Sequence, residues 1–508
     1  MRERDAHSDY IRRGDRELDA AYEPPLSLPE YVERAFERPS ITSHAAKYLL
    51  EAVESMGTRT VVEEGEERER YRFFDDPHND GEHAVLGNTE VLNGFVDDLR
   101  TIAANRGKGE KIVWFDGPTA TCKSELKRCL INGLREYSKT EAGRRYTVEW
   151  NVASTAAGDA RGLSYGETVP DDESDWYESP VQTHPLSVFP KSVREELLAD
   201  LNEASGDHIP TVVPAELDPF SREAYDHLEE RYRRDGREEL FSAVTDTMHL
   251  RVKNFVVDIG QGIGVLHAED DGTPKERLVG SWMPGMLREL GSRGRKNPQA
   301  FSYDGVLSQG NGLLTVVEDA SQHADLLRKL LNVPDEGRVK LDKSVGMDID
   351  TQLVVISNPD LDAELDKFAD RNGRDPLKAL KRRLDRHEFG YLTNLSLEAE
   401  LVRRELTDET SVWDATDPDE IDKRVRAPLV VSTRGNDGQI AERELAPHAV
   451  EAAAAYAVLS RPDSAVLPPA VSLVAQPLLF ARGWIRVAHG ERLEAQSFAS
   501  AGEGGTHP

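Results

Sequence analysis

The chain has 508 residues and carries 93 acidic against 63 basic side chains, a formal net charge of −30 at pH 7. With 38% hydrophobic residues, it has too much apolar material for a disordered acidic protein, so we expect a folded chain of two or three domains. A strongly acidic surface is typical of a salt-loaded cytoplasm, as in a halophile, because salt screens the repulsion between its carboxylates. The negative field of such a protein disfavours nucleic acid as a partner.

Cysteine usage and targeting signals favour a cytoplasmic protein. The two cysteines, Cys122 and Cys129, are seven residues apart in one loop–helix segment, which argues against a disulfide scaffold or a zinc site. The sequence shows no signal peptide and no apolar run of about 18 residues, so no membrane partner is expected. A mesophilic acidic protein is the alternative to a halophilic one.

The first part of the chain predicts helices. Residues 1–28 are charged and lack periodicity, so we expect a flexible arm there. Residues 29–85 combine helical periodicity, from Pro29 to Met56, with an acidic connector, from Val61 to His83. A further helix is predicted from Leu86 to Ala104.

The segment that follows predicts a nucleotide site. The apolar run from Ile112 to Phe115 predicts a strand, and a helical pattern runs from Leu126 to Leu134. Strand, loop, Lys-Ser and helix is the order that phosphate binding needs, because the first helical N–H groups and the helix dipole favour an anion. The residues expected to hold the nucleotide are Gly117, Pro118, Thr119, Ala120, Thr121, Cys122, Lys123 and Ser124.

Individual roles follow from the P-loop fingerprint G-x-x-x-x-G-K-[ST]. Lys123 would reach the β- and γ-phosphates, and the Ser124 hydroxyl would ligate Mg²⁺. The fingerprint is matched at every fixed position except one, where Cys122 replaces a glycine. Because glycine lets the backbone approach phosphate closely, this replacement counts against the site.

Downstream, apolar runs alternate with helical patterns. An insertion is expected within residues 150–275. Gly260 to Gly264 matches a dinucleotide-binding fingerprint only weakly, because no helical pattern follows it, and a hairpin is favoured. Further strands are predicted from Leu313 to Val317 and from Leu353 to Ile356. The alternation predicts an α/β fold with a parallel sheet and flanking helices.

Polar residues at the ends of these strands are the remaining candidates. Glu318 and Asp319 follow the first strand, where one carboxylate, assigned to Glu318, would hold the metal and the other would position the attacking water. Asn358 follows the second strand and would sense the γ-phosphate. Arg383 lies in a basic run and would act as an arginine finger toward a neighbouring subunit.

Taken singly, these candidates have simpler explanations. The acid pair is more often a solvated strand end, Asn358 before Pro359 starts a turn, and Arg383 belongs to a charged helix face. Their order along the chain instead favours one ATPase core over residues 86–394. Beyond it, helical patterns predict a lid over residues 395–465, and residues 466–508 end in a tail expected to be disordered.

Several segments resemble the PrkA serine protein kinase family. The most specific is Asn297 to Ser308 together with Gly310 to Leu314, and the likeness covers most of residues 29–490. The other matching segments are Tyr31 to Ala46 (including Arg38-Pro39-Ser40), Glu178-Ser179-Pro180, Pro185 to Pro190 and Ala446 to Arg461.

The resemblance implies an AAA+-like ATPase core that binds ATP and Mg²⁺, forms a homo-oligomer and phosphorylates serine or threonine of a protein substrate. The family loop is close to Gly-Pro-x-Gly-Gly-Gly-Lys-Ser, and here Ala120, Thr121 and Cys122 replace the three glycines. The acid pair Glu318-Asp319 departs only mildly from the pair in the family, because the family tolerates glutamate at the first position. Family members usually continue past the equivalent of residue 490, so most of the C-terminal region described as the kinase domain is expected to be missing.

Three hypotheses for the function stay open. The first is an ATP-dependent serine/threonine protein kinase. The second keeps the ATPase and replaces the kinase by remodelling or proteolysis, since some family members are better described that way. The third is a non-catalytic nucleotide-binding partner in a mixed ring with full-length PrkA relatives, which the altered loop and the short C-terminal region favour.

Overall fold

The computed structural model divides the chain into two compact units. The first comprises Met1–Ala52, Asp97–Phe115 and Leu134–Arg386, and the second comprises Val53–Val96, Asp116–Gly133 and His387–Pro508. The residues that the structure describes are 2–63, 66–104, 112–151, 176–213, 215–267, 281–282, 302–303, 305–323, 326–327, 330, 333, 337–340, 346–367, 378–392, 394–407, 423, 427–434, 439–446, 448–460, 484–486 and 492–494.

Helices occur along the whole length of the described chain. The α-helices are α1 (Arg2–Ala21), α2 (Leu28–Glu37), α3 (Ala45–Ser55), α4 (Thr89–Ala103), α5 (Lys123–Lys139), α6 (Lys191–Ser205), α7 (Pro219–Arg234), α8 (Leu240–Val244), α9 (Val306–Gln309), α10 (Leu361–Asp366), α11 (Lys378–Arg383), α12 (Leu395–Thr407) and α13 (Ala449–Ser460). Short 3-10 helices cover Pro39–Thr42, Arg72–Asp75, Pro77–Asn79, Pro185–Val188 and Ala320–His323.

The strands form one larger sheet, a three-stranded sheet and several two-stranded pairs. They are β1 (Thr58–Glu63), β2 (Glu66–Tyr71), β3 (Ile112–Asp116), β4 (Arg145–Asn151), β5 (Trp176–Glu178), β6 (Leu250–Phe255), β7 (Asp258–Ile259), β8 (Gly262–Leu266), β9 (Ser281–Trp282), β10 (Ser302–Tyr303), β11 (Leu314–Val317), β12 (Arg338–Lys340), β13 (Gly346–Asp348), β14 (Gln352–Ser357), β15 (Leu384–Glu388), β16 (Val430–Arg434), β17 (Ile440–Glu444), β18 (Trp484–Arg486) and β19 (Arg492–Glu494).

A parallel six-stranded sheet organises the first unit and makes the protein a mixed α/β structure. Among the described residues its order is β15-β3-β14-β11-β8-β7. Strand β11 pairs in parallel with both neighbours, so Val317 lies opposite Val355 and Leu266. Every residue of β3, β8, β11 and β14 is buried, as expected when both faces of a parallel sheet are covered.

A second core in the first unit surrounds the antiparallel sheet β5-β4-β6. Trp150 of β4 is fully buried there, beside residues of α2 and α7. Helix α2 begins with a capping box, in which the Ser27 hydroxyl accepts from the Glu30 amide and the Glu30 carboxylate accepts from the Ser27 amide. These contacts fix the start of the N-terminal helical segment.

In the second unit, buried charges tie a β-hairpin to the turns that follow it. Strands β1 and β2 pair antiparallel from Thr58–Tyr71 to Glu63–Glu66. The buried carboxylate of Asp75 accepts from Arg59 Nε at 2.5 Å and from Arg70 Nε at 2.9 Å. A carboxylate held by two guanidinium groups is well compensated inside a protein.

The C-terminal part of the second unit has helices and a hairpin. Helices α12 and α13 pack against each other, and their shared core consists of Ala399, Leu429, Val450 and Ala454. Strands β16 and β17 form an antiparallel hairpin between the two helices in the sequence.

The predicted elements agree with much of this architecture and differ at identifiable places. The segment 1–28, expected to be an irregular arm, is helical over Arg2–Ala21. The acidic connector contains the β1–β2 hairpin. Asp258 and Gln261 form a single antiparallel bridge, and Gly262 then opens the buried strand β8, which pairs in parallel with β7 and β11, so the expected hairpin is limited to that bridge. Residues 152–175 of the insertion expected around 150–275, and the tail beyond 494, lie outside the described residues.

Candidate functional site

The loop after strand β3 enters helix α5 at Lys123. Gly117 opens it, and a Cβ atom at this position would lie 2.4 Å from the carbonyl oxygen of Phe389. The amide of Phe389 donates to the carbonyl of Asp116 at 2.6 Å. Close passage of the 389 backbone therefore requires glycine at 117.

The loop takes left-handed backbone conformations without the glycines that favour them. Ala120 has φ 65° and Cys122 has φ 66°, in the region that side chains with a Cβ atom rarely adopt. The carbonyl of Cys122 accepts from the amide of Leu126 at 2.9 Å, so the α5 hydrogen bonds begin at that residue. Left-handed residues just before a helix are a feature of loops that turn backbone amides toward an anion.

Lys123 is folded back onto its own loop. Its Nζ donates to the carbonyls of Gly117 and Pro118, both at 2.6 Å, and to Thr121 Oγ1 at 3.2 Å. The Lys123 side chain is buried, whereas Ser124 is exposed. Lys123 is thus the first residue of α5, and its charge is turned toward loop oxygens.

Charges around the first turn of α5 partly offset one another. Glu125 accepts from Arg128 at 2.8 Å and pairs with His83 Nδ1 at 2.8 Å, which reduces the repulsion that its carboxylate would exert on an anion at the helix start. Burial raises the pKa of the Cys122 thiol, so the thiol stays protonated. Cys129 is buried, and its Sγ lies 3.1 Å from the Phe73 carbonyl.

The structure brings three candidates of the first unit to one edge of its sheet. Glu318 and Asp319 follow β11, and Asn358 follows β14; these strands are parallel neighbours. The Glu318 carboxylate is largely buried and lies 2.9 Å from His267 Nδ1. His267 comes directly after β8, the other parallel neighbour of β11. His267 is absent from the sequence-predicted candidates, and recognising β8 as a strand would have revealed it.

The residue before Asn358 also has a specific partner. Trp114 Nε1 of β3 donates to the buried Ser357 hydroxyl at 2.7 Å, which links adjacent strands of the sheet. Arg383 is the last residue of α11 and immediately precedes β15, which β3 separates from β14. Its role as a finger toward another subunit stays a prediction.

Part of the family-like segment lies outside the residues that the structure describes. Residues 297–301 and 304 of the most specific family-like segment lie outside the described residues. Within the described part, no group of three or more His, Cys, Asp or Glu side chains is arranged to hold a metal ion. Ser124 and Glu318, the predicted Mg²⁺ ligands, belong to different compact units. No helix in the described ranges is long and apolar enough to cross a bilayer.

The fold therefore defines a mixed α/β protein with a strand–loop–lysine–helix element. No family model matches the chain. It is similar to the ATP-dependent protease PrkA of Bacillus subtilis (strain 168), with 23% identity over 338 residues that cover 65% of this chain. The match spans 43% of that relative's length. This similarity supports at most a PrkA-like relationship.

Proposed function

We propose that this chain is a PrkA-like protein with an AAA+-type ATPase core, which binds ATP at the loop between β3 and α5 and acts on a protein substrate. The observation that carries the proposal is the loop itself. It keeps left-handed conformations at residues 120 and 122 although neither is glycine, and Lys123 stands at the first position of the following helix. The similarity to an ATP-dependent relative points the same way.

The residues of the loop fit a nucleotide polyphosphate. The amides of the loop and of the start of α5 would donate to phosphate oxygens, and Lys123 would supply the positive charge. Ser124, exposed and next to the lysine, would offer its hydroxyl to Mg²⁺. Bound ATP would supply a transferable phosphoryl group.

We propose the following roles for the candidate residues in the first unit. Glu318 would hold the metal, Asp319 would position water, Asn358 would sense the γ-phosphate, and Arg383 would serve a neighbouring subunit. In support, the first three share one edge of the sheet. Substituting Glu318→Gln should abolish ATP hydrolysis while ATP binding persists, because the amide keeps the shape and loses the charge.

Two activities on protein substrates compete. The name of the relative, an ATP-dependent protease, favours ATP-driven breakdown or remodelling, and the family resemblance favours serine or threonine phosphorylation. Incubating the oligomer with casein and γ-labelled ATP separates them: peptide release supports the first and acid-stable label on casein the second. We also propose that the chain forms a homo-oligomer or a mixed ring with PrkA relatives, and that it is non-catalytic in the mixed ring. Residues 395–465 would form the lid of this chain. We propose the cytoplasm as its location.

The primary test is equilibrium binding of ATP with Mg²⁺ in molar KCl. Lys123→Ala should weaken ATP binding about a hundredfold, the cost of losing one phosphate-binding charge. Lys127→Ala, one turn further along α5, removes an equal charge and should leave affinity within about twofold. Equal affinity of wild type and Lys123→Ala, with both folded by circular dichroism, would refute the site.

A further inference from the structure

The Thr121 side chain is hydrogen-bonded to the lysine of the proposed site. Its Oγ1 donates to the Pro118 carbonyl at 2.8 Å and accepts from Lys123 Nζ at 3.2 Å. Thr121 is 3% exposed and Lys123 is 7% exposed. Both groups are therefore largely shielded from water that could replace these bonds.

The resting hydrogen bonds of the lysine are well matched to its chemistry. An ammonium group has three donor hydrogens, and the oxygens of Gly117, Pro118 and Thr121 lie within hydrogen-bond distance of Nζ. A phosphate oxygen can approach as a strong partner only when the ammonium leaves at least one of them. Hydrogen bonds to charged groups are stronger than neutral ones. Breaking one of the existing bonds of the ammonium is therefore a cost that opposes phosphate binding.

The hydroxyl is the part of this arrangement that depends on the side chain. The carbonyls of residues 117 and 118 belong to the backbone and would persist with any residue at 121. A glycine or a valine at 121 would provide no oxygen to the lysine and no bond to Pro118. The Thr121 hydroxyl thus cross-links two parts of the loop, the turn at 118 and the lysine at 123.

We propose that Thr121 is a positioning residue that latches Lys123 in a withdrawn state and thereby lowers the affinity of the loop for polyphosphate. This inference rests on the proposed function, because the affected ligand is the one that the loop would bind. The competent state, with Nζ released from Thr121, is a minor fraction, and the apparent affinity falls by that fraction. Removing the hydroxyl should raise the affinity for ATP and for inorganic pyrophosphate by about tenfold, the equivalent of one such bond.

The test compares Thr121→Val, which keeps the branched shape and loses the hydroxyl, with Thr121→Ser, which keeps the hydroxyl. Titration calorimetry with pyrophosphate and with ATP in molar KCl should show about tenfold tighter binding for Val and affinity within about twofold of wild type for Ser. Pyrophosphate isolates the effect on phosphate from any contact with the base.

A second readout does not depend on any ligand. A short pulse of an acetylating reagent, read by peptide mass spectrometry, should label Lys123 several-fold faster in Thr121→Val than in wild type, because an amine with two hydrogen-bond partners instead of three leaves the loop more often. Labelling of Lys127 provides the internal control. Equal Lys123 labelling in the two folded proteins would overturn the latch.

The outcomes separate the latch from the proposed function. If wild type binds ATP in a Lys123-dependent way and Thr121→Val binds no tighter, the latch is wrong and the nucleotide site stands. If wild type, Thr121→Val and Lys123→Ala all fail to bind ATP and pyrophosphate, the proposed function is wrong and the latch falls with it.

Discussion

Replacing Ala120 by glycine should stabilise the protein, although glycine usually destabilises. Ala120 is exposed and has φ 65°, so its methyl group contributes little packing and the backbone carries the strain of a left-handed residue. That conformation costs about 1–2 kcal/mol for a residue with a Cβ atom, while the extra freedom of glycine in the unfolded chain costs about 0.4–1 kcal/mol. The difference predicts that Ala120→Gly raises the free energy of unfolding by about 0.5–1 kcal/mol.

The assay is urea unfolding in molar KCl, followed by circular dichroism, with ligand-free protein. The matched control is Ala453→Gly, the same substitution at an exposed position inside helix α13, which should lower the unfolding free energy by about 1 kcal/mol. The two variants should therefore shift the midpoint in opposite directions. A loss of stability at residue 120 as large as that at residue 453 would show that the loop does not hold the left-handed conformation.

Further predictions concern packing, a buried hydrogen bond and pH. Gly264→Ala should destabilise the protein by more than about 2 kcal/mol in the same assay, because its Cβ would lie 1.8 Å from the carbonyl oxygen of Val306, whereas Gly14→Ala, with open space around it, should be neutral or stabilising. Ser357→Ala should cost about 1–3 kcal/mol, since it leaves the buried Trp114 indole N–H without its acceptor, and a midpoint equal to wild type would refute that hydrogen bond. Burial lowers the pKa of His44 to about 4 and of His184 to about 3. Because both histidines bind protons more readily when unfolded, the free energy of unfolding should fall as pH drops below 6.5, by up to about 1.4 kcal/mol per pH unit for each histidine. Burial raises the pKa of Glu51 to about 7 and that of Asp350 to about 6, which gives the opposite slope below pH 7, so the comparison is best made in a Glu51→Gln/Asp350→Asn background, where adding His44→Asn should roughly halve the slope.

Local sequence was sufficient to predict a strand or a helix where the pattern of apolar residues matches the pattern of burial. The largely apolar runs in β3, β11 and β14 predict strands because both faces of a central parallel strand are covered. The helix after Lys123 follows from its spacing of apolar residues. The order of Gly117, Lys123 and Ser124 likewise locates the candidate phosphate loop from the chain alone.

Other elements were missed because their stabilising contacts are distant in sequence. Strand β8 contains two glycines, which favour a hairpin from sequence alone, yet all five of its residues are buried. Gly264 is needed there because the carbonyl of Val306 lies where a Cβ would be. The charged strand β2 pairs with β1 through a hairpin, with Arg70 joined to Asp75, contacts that an acidic composition does not show.

The sequence by itself determined the α/β class with a parallel sheet and the position of the loop that contains Lys123 and Ser124, since these depend on short-range periodicity and spacing. Only the tertiary structure decided that Ala120 and Cys122 adopt left-handed conformations, that Lys123 turns back to Thr121, and that Glu318 meets His267. The reason is physical: strand register and loop closure are set by pairing between residues far apart in the chain, and side-chain partners follow from that register.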